Sequence, residues 1–202
     1  MATEQYSLRE ELASIRLPPS IRGVLEVTYP TFTVTSGTIY PREATQTEPT
    51  ITFPGAETDA EYTLIMTDPD LMMKNDSLSG QVRHWLQPGL RFNSEWRASS
   101  TQPAITAYLG PAPGLGTGNH RYFFVLTKQA QGVGESLLNN RFTIGGAEAD
   151  LKDRMGFDVA EYIAETGLEV VDTFMQVGGN VASTALDVKL MTESVAHKIV
   201  GK

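Results

Sequence analysis

With 202 residues, 41% of them hydrophobic and 20% charged, the chain has the size and composition of one soluble globular domain with a sizeable core. A net charge of −8 disfavours polyanionic partners and argues against nucleic-acid binding. The absence of cysteine excludes disulfides, thiol catalysis and cysteine-ligated zinc, and is compatible with a cytoplasmic location. The first twenty residues carry Arg9, Glu10, Glu11 and Arg16 without an apolar run, so no secretory signal is expected, and no apolar stretch approaches membrane-spanning length.

In chain order, Ser7-Leu8-Arg9-Glu10 fits a capping box, and Leu8, Leu12 and Ile15 follow at helical spacing until Pro18-Pro19 stops the helix. Residues 1–20 therefore read as a short helix on the edge of the domain, or as an arm offered to a partner. From Val24 to Phe53 the pattern is that of short strands: Leu25, Val27 and Tyr29 alternate, as do Phe32 and Val34, between Pro30, Gly37, Pro41 and Pro49. Residues 62–66 read as a buried strand that ends at Asp68-Pro69-Asp70. Residues 71–80 are loop-like. Residues 82–86 form a further strand with Val82, His84 and Leu86 on one face, and 88–103 read as another loop.

The stretch 109–128, LGPAPGLGTGNHRYFFVLTK, is the part around which the rest is organised. A loop with glycines and prolines runs into a nearly continuous aromatic and aliphatic strand. Alternation places His120, Tyr122 and Phe124 on one face and Arg121, Phe123 and Val125 on the other. One imidazole and one phenol thus share a wall beside a glycine-rich lip, which suggests a small polar pocket. The glycines do not read as a nucleotide fingerprint. A strand follows them instead of a helix, so no helix N-terminus is available for phosphate, and no Walker-type loop occurs.

The last third changes character. Asp158-Val159-Ala160-Glu161 fits a second capping box, Val159, Tyr162 and Ile163 share a helical face, and Gly167 is a plausible C-cap. Residues 168–177 read as a strand, and Val188, Met191, Val195 and Ile199 predict an amphipathic helix over 181–202.

The loop GPAPGLGTGNHRYFF, with Asp68-Pro69-Asp70 and His84-Trp85 upstream, resembles the phosphatidylethanolamine-binding protein family over about residues 20–180. The GPAP form of the loop, the HWLQP stretch and the acidic C-terminal region look most like fungal members. The resemblance implies a predominantly antiparallel β-sandwich with peripheral helices, in a single domain over 1–202. It also implies that Asp68, Asp70, His84, Leu109, Gly110, Ala112, Pro113, His120 and Tyr122 line one cavity. There the aspartates would orient the histidines and loop amides, and His84 and His120 would donate to a phospholipid headgroup or other small phosphate-like anion. Partners implied by the family are a serine carboxypeptidase or a protein of a Ras/kinase pathway. The chain departs from the family where D-P-D-A-P-S becomes Asp68-Pro69-Asp70-Leu71-Met72-Met73. It also has Ser79 where many members have a tyrosine five residues before the first histidine.

Enzymatic readings rank below binding. A hydrolase would need an activated hydroxyl, and there is no G-x-S-x-G elbow. A metal centre would need close ligand pairs, and there is no H-E-x-x-H or equivalent. The expectation is a non-enzymatic binding protein without cofactor or metal. Its pocket should hold anions more tightly as histidine charges between pH ~8 and ~5.5.

Overall fold

The computed structural model describes residues 8–18, 24–100, 102–129, 142 and 144–179. The proposed 181–202 helix, residues 1–7 and with them the Ser7 cap lie outside the described residues. The strands among the described residues are β1 (Glu26–Tyr29), β2 (Phe32–Thr33), β3 (Ile39–Tyr40), β4 (Thr50–Thr52), β5 (Tyr62–Asp68), β6 (Val82–Phe92), β7 (Ala98–Ser100), β8 (Asn119–Gln129) and β9 (Gly167–Gly178). They form a three-stranded sheet, β2-β1-β4, and a six-stranded sheet, β3-β9-β8-β5-β6-β7. Pairing is antiparallel except where β3 runs parallel to β9, so the protein is mainly β as expected, with a mixed rather than purely antiparallel large sheet.

The large sheet is buried on both faces, which explains why Phe123-Phe124-Val125-Leu126 is apolar without interruption. On one face, Tyr62, Leu64, Met66, Trp85, Tyr122, Phe124 and Met175 meet Val27, Tyr29 and Ile51 of the small sheet. On the other face, Ile65, Leu86, Phe123, Val125 and Phe174 meet the helices. Those helices are α1 (Leu8–Ser14) and α3 (Val159–Thr166), while a third, α2 (Leu151–Arg154), lies against β6. The alternation read along 120–125 is the one observed: Tyr122 and Phe124 point to the small sheet, Phe123 and Val125 to the helices.

Local sequence sets the helix ends. Asp158 caps α3 by accepting from the Glu161 N–H at 3.0 Å, and Val159 and Tyr162 are buried behind it. Losing that cap in Asp158→Ala is expected to cost about 1 kcal/mol, measurable as a shift in the urea midpoint at unchanged slope. Gly167, expected to close this helix, is instead the first residue of β9, so helix passes directly into strand. α1 stops at Ser14, before the prolines. Arg16 adopts φ 61°, the Leu17 N–H donates to Leu12 O at 3.0 Å and the Arg16 N–H donates to Ala13 O at 3.1 Å. That is a Schellman ending, with the buried Leu17 and Leu12 as its apolar contact.

Two expectations for β6 need correction. Residues 88–103 are not one loop: β6 continues to Phe92 and pairs with β7, Leu90 opposite Ser100. Pro88-Gly89 is absorbed as an irregularity between Tyr62 and Leu64 of the partner strand, with Gly89 at φ 65°. Nor do Val82, His84 and Leu86 share a face. Met66 pairs with Trp85 while Thr67 pairs with Arg83, leaving His84 as an extra, bulged residue. Beyond this bulge the alternation is reset, so Trp85 joins the inter-sheet core and Leu86 joins the helix-side core.

Candidate functional site

The bulge re-aims His84 toward β8, where its ring meets Tyr122 edge-on at 5.1 Å between centroids. His84 is fixed by a reciprocal pair of bonds to Leu109. Its Nδ1 lies 2.8 Å from Leu109 O, and the Leu109 N–H donates to His84 O at 2.9 Å. Because a carbonyl only accepts, Nδ1 carries the proton and Nε2 of the neutral ring is an acceptor. Burial depresses the His84 pKa to about 4. Asp68 and the Leu109 carbonyl pull it up less strongly, and Arg154 and His120 push it further down. His84 is therefore neutral throughout the pH range in which the sequence alone would let it charge.

His120, on β8, is buried beside Asp68 at the end of β5. His120 Nδ1 lies 2.9 Å from Asp68 Oδ2, and Asp68 Oδ1 accepts the Asp70 N–H at 2.7 Å. On the opposite side of the ring, Nε2 lies 2.7 Å from Thr117 Oγ1. The Thr117 hydroxyl in turn donates to Gly114 O at 2.8 Å. Hydroxyl, imidazole and carboxylate thus have the connectivity of a hydrolytic triad. The Thr117 hydroxyl, however, has the Gly114 carbonyl as a second acceptor besides His120 Nε2, so its proton is shared between backbone and imidazole.

Asp68, Leu71, Val82, His84, Leu109, Ala112, His120, Tyr122 and Leu151 line one small cavity of about 20 Å³, room for about one water molecule. Six of the nine anticipated residues, Asp68, His84, Leu109, Ala112, His120 and Tyr122, are thus brought together. Asp70, Gly110 and Pro113 are not among its lining residues. Asp70 faces the helix side, where it accepts from Arg121 Nε at 2.7 Å and Nη2 at 2.5 Å and from the Asn75 N–H at 2.8 Å. It shapes the site indirectly, by folding the loop after Asp68. Gly110 packs against Gln46, whose amide donates to Pro111 O at 2.9 Å and so fastens the loop entrance to the segment following the 3₁₀ turn Arg42–Thr45.

Sequence reasoning did not place Leu71, Val82, Leu151, Thr117 or Arg154 at the site. Thr117 was detectable, lying three residues before His120 in the same motif. Arg154 was not, because it reaches the site through backbone. From α2 its Nη1 donates to His84 O and Ala107 O, both at 3.0 Å, and to Arg83 O at 3.3 Å, clamping the bulge that carries His84. Among the described residues no cluster of His, Asp and Glu has the arrangement of a metal site.

Residues 25–176 match the family model described as phosphatidylethanolamine-binding protein. The chain belongs to the phosphatidylethanolamine-binding protein family. A relative from Saccharomyces cerevisiae, the carboxypeptidase Y inhibitor, is 36% identical over 93 residues. That match covers 39% of this chain and 42% of the relative, so the chain spans less than half the length of this curated relative. Among solved structures, a carboxypeptidase Y inhibitor complexed with its cognate proteinase is similar at TM-score 0.68 and 26% identity, over 85% of this chain and 91% of that one. A phosphatidylethanolamine-binding protein from Plasmodium vivax shares the fold at TM-score 0.64 and 21% identity, over 85% and 95%. No helix among the described residues is long and apolar enough to cross a membrane.

Proposed function

We propose that this protein is a regulatory binding protein whose Asp68–His84–His120 pocket takes a phosphate-type anion, such as a phospholipid headgroup, and that it inhibits a serine carboxypeptidase. The convergence of Asp68, His84, His120 and Tyr122 on one buried cavity carries the first half. A buried imidazole backed by a carboxylate is a preorganised donor for an oxyanion, and His84 supplies a neighbouring polar wall. The likeness to the inhibitor bound to its proteinase supports the second half, and the match to the Saccharomyces cerevisiae inhibitor supports it in sequence.

Inhibition is tested by adding purified protein to carboxypeptidase Y and following peptide hydrolysis. Inhibition that saturates near one equivalent, without cleavage of the added protein at a catalytic rate, is expected. Unchanged hydrolysis at a large excess would remove the protease from the account. The N-terminal arm is the part assigned to the protease, and the fold allows a clean test of it. Removing residues 1–7 leaves in place Glu11, which pairs with Arg121, and Leu12, Ile15 and Leu17, which are buried. Such a truncation is expected to keep the fold and lose inhibition; full inhibition by the truncated chain would exclude residues 1–7 of the arm.

A further inference from the structure

We propose that Thr117 sets the affinity of the pocket, as the latch of a lid formed by residues 114–118 over His120. The inference rests on the pocket being the anion site and goes beyond it by naming what an anion must displace. A cavity of about 20 Å³ holds one water. A tetrahedral phosphate group carries four oxygens, so the pocket as it stands is closed to its ligand. The His120 Nε2 that a phosphate oxygen would take is held by Thr117 Oγ1 at 2.7 Å, and the Thr117 hydroxyl is itself turned back to Gly114 O at 2.8 Å. With Asp68 on Nδ1 and Thr117 on Nε2, the imidazole already has an oxygen partner at each nitrogen. Thr117 therefore supplies from within the chain the oxygen that an anion would bring.

The loop is built to move as a unit. Gly116 and Gly118 flank Thr117 at φ 89° and φ 94°, and a Cβ at either would meet open space. Among the described residues, nothing therefore lies within contact of a Cβ at these two positions. At its base the loop rests on Gly179, just past β9. A Cβ at residue 179 would collide with Gly114 O and would lie 2.8 Å from both Gly114 C and Pro113 O. These are backbone atoms that cannot rotate away, so the closed lid requires glycine at 179.

Each latch can be removed without touching His84, His120 or Asp68. Thr117→Val keeps the shape and deletes the hydroxyl, and Gly179→Ala pushes the loop off its seat. If the closed lid lowers the fraction of binding-competent protein, apparent affinity rises as the latch is lost. Losing one ordinary hydrogen bond corresponds to ~5–10-fold. The experiment is a calorimetric titration of wild type and both variants, each first shown to unfold cooperatively. The probes are inorganic phosphate, phosphoethanolamine and a monomeric short-chain phosphatidylethanolamine. Tighter binding by both variants supports the lid. A gain shared by all three probes assigns the barrier to the phosphate group, and a gain confined to the lipid assigns it to the headgroup with its tails. Wild type and variants binding alike would leave the anion pocket standing and overturn the lid. Weaker binding by Thr117→Val would make Thr117 a ligand contact and also overturn it. Binding of no probe by any of the three proteins would overturn the lid together with the anion pocket.

Discussion

Arg121→Met is expected to destabilise the protein by about 3–5 kcal/mol, the cost of leaving buried charge without its partner. Arg121 is 2% exposed and sits where α1, the loop after β5 and β8 meet. Its guanidinium pairs with Asp70, bonds to Asn75 Oδ1 at 2.6 Å and to Ser14 Oγ at 2.9 Å, and forms an ion pair with Glu11 of α1. Removing it takes the guanidinium from the carboxylates of Asp70, 1% exposed, and Glu11, 6% exposed, leaving Asp70 its backbone N–H donors and Glu11, among the described residues, only Lys74 at 3.6 Å. Urea unfolding of wild type and variant reads the loss directly. A second variant, Arg121→Met with Glu11→Gln and Asp70→Asn, should recover part of it, because neutral partners need no counter-charge. A change below about 1 kcal/mol in Arg121→Met would mean that the cluster is solvated and does not fasten α1 to the sheet.

Stability is expected to fall as pH drops from about 6.5 to about 4, by up to ~3 kcal/mol from His84 alone. The folded protein holds this histidine at a pKa of about 4, chiefly by burial, against 6.5 in the unfolded chain. Between those values the unfolded state binds the proton and the folded state does not, so acidification favours unfolding. The contribution is complete above the unfolded pKa and is lost as pH approaches the folded one. Unfolding free energies measured across that window in wild type and His84→Gln should diverge in slope, the variant being flatter. Parallel slopes would show that His84 charges freely and that burial and Arg154 do not hold it neutral. The same shift alters the pH dependence expected from sequence for anion binding. His84 contributes no charge between pH ~8 and ~5.5, so any gain in that range must come through His120 and its partners.

Much of this fold was legible because the strands that matter are strongly patterned. The strands at 62–68 and 119–129 are legible over 62–66 and 120–126, from largely apolar runs that lead to Asp-Pro or follow the glycine-rich loop. Alternation then correctly assigned Tyr122 and Phe123 to opposite cores. The same rule failed in β6, where a strand with one inserted residue keeps its local pattern while its register against β5 shifts. Pro88-Gly89 also reads as a turn from sequence, yet in place it is a bulge tolerated inside a long strand. The pocket's histidines, Asp68 and Tyr122 were found through the motif. Asp70 was grouped with them because it belongs to the same Asp-Pro-Asp motif of the family resemblance. Past the strand end its carboxylate instead meets Arg121 on the other face, a pairing that joins positions far apart in sequence and carries no local signal.

The account centres on His120 as the donor to a bound phosphate-type anion, and one titration addresses it most directly. Phosphoethanolamine binding to wild type and to His120→Gln should be measured calorimetrically at pH 6.5 and low ionic strength, with thermal unfolding confirming that both chains are folded. The account predicts saturable binding at one site in the wild type, weakened at least ~10-fold in the variant, because the bond lost is charge-assisted. Equal affinity in the two proteins would place the anion elsewhere and contradict the assignment of this pocket.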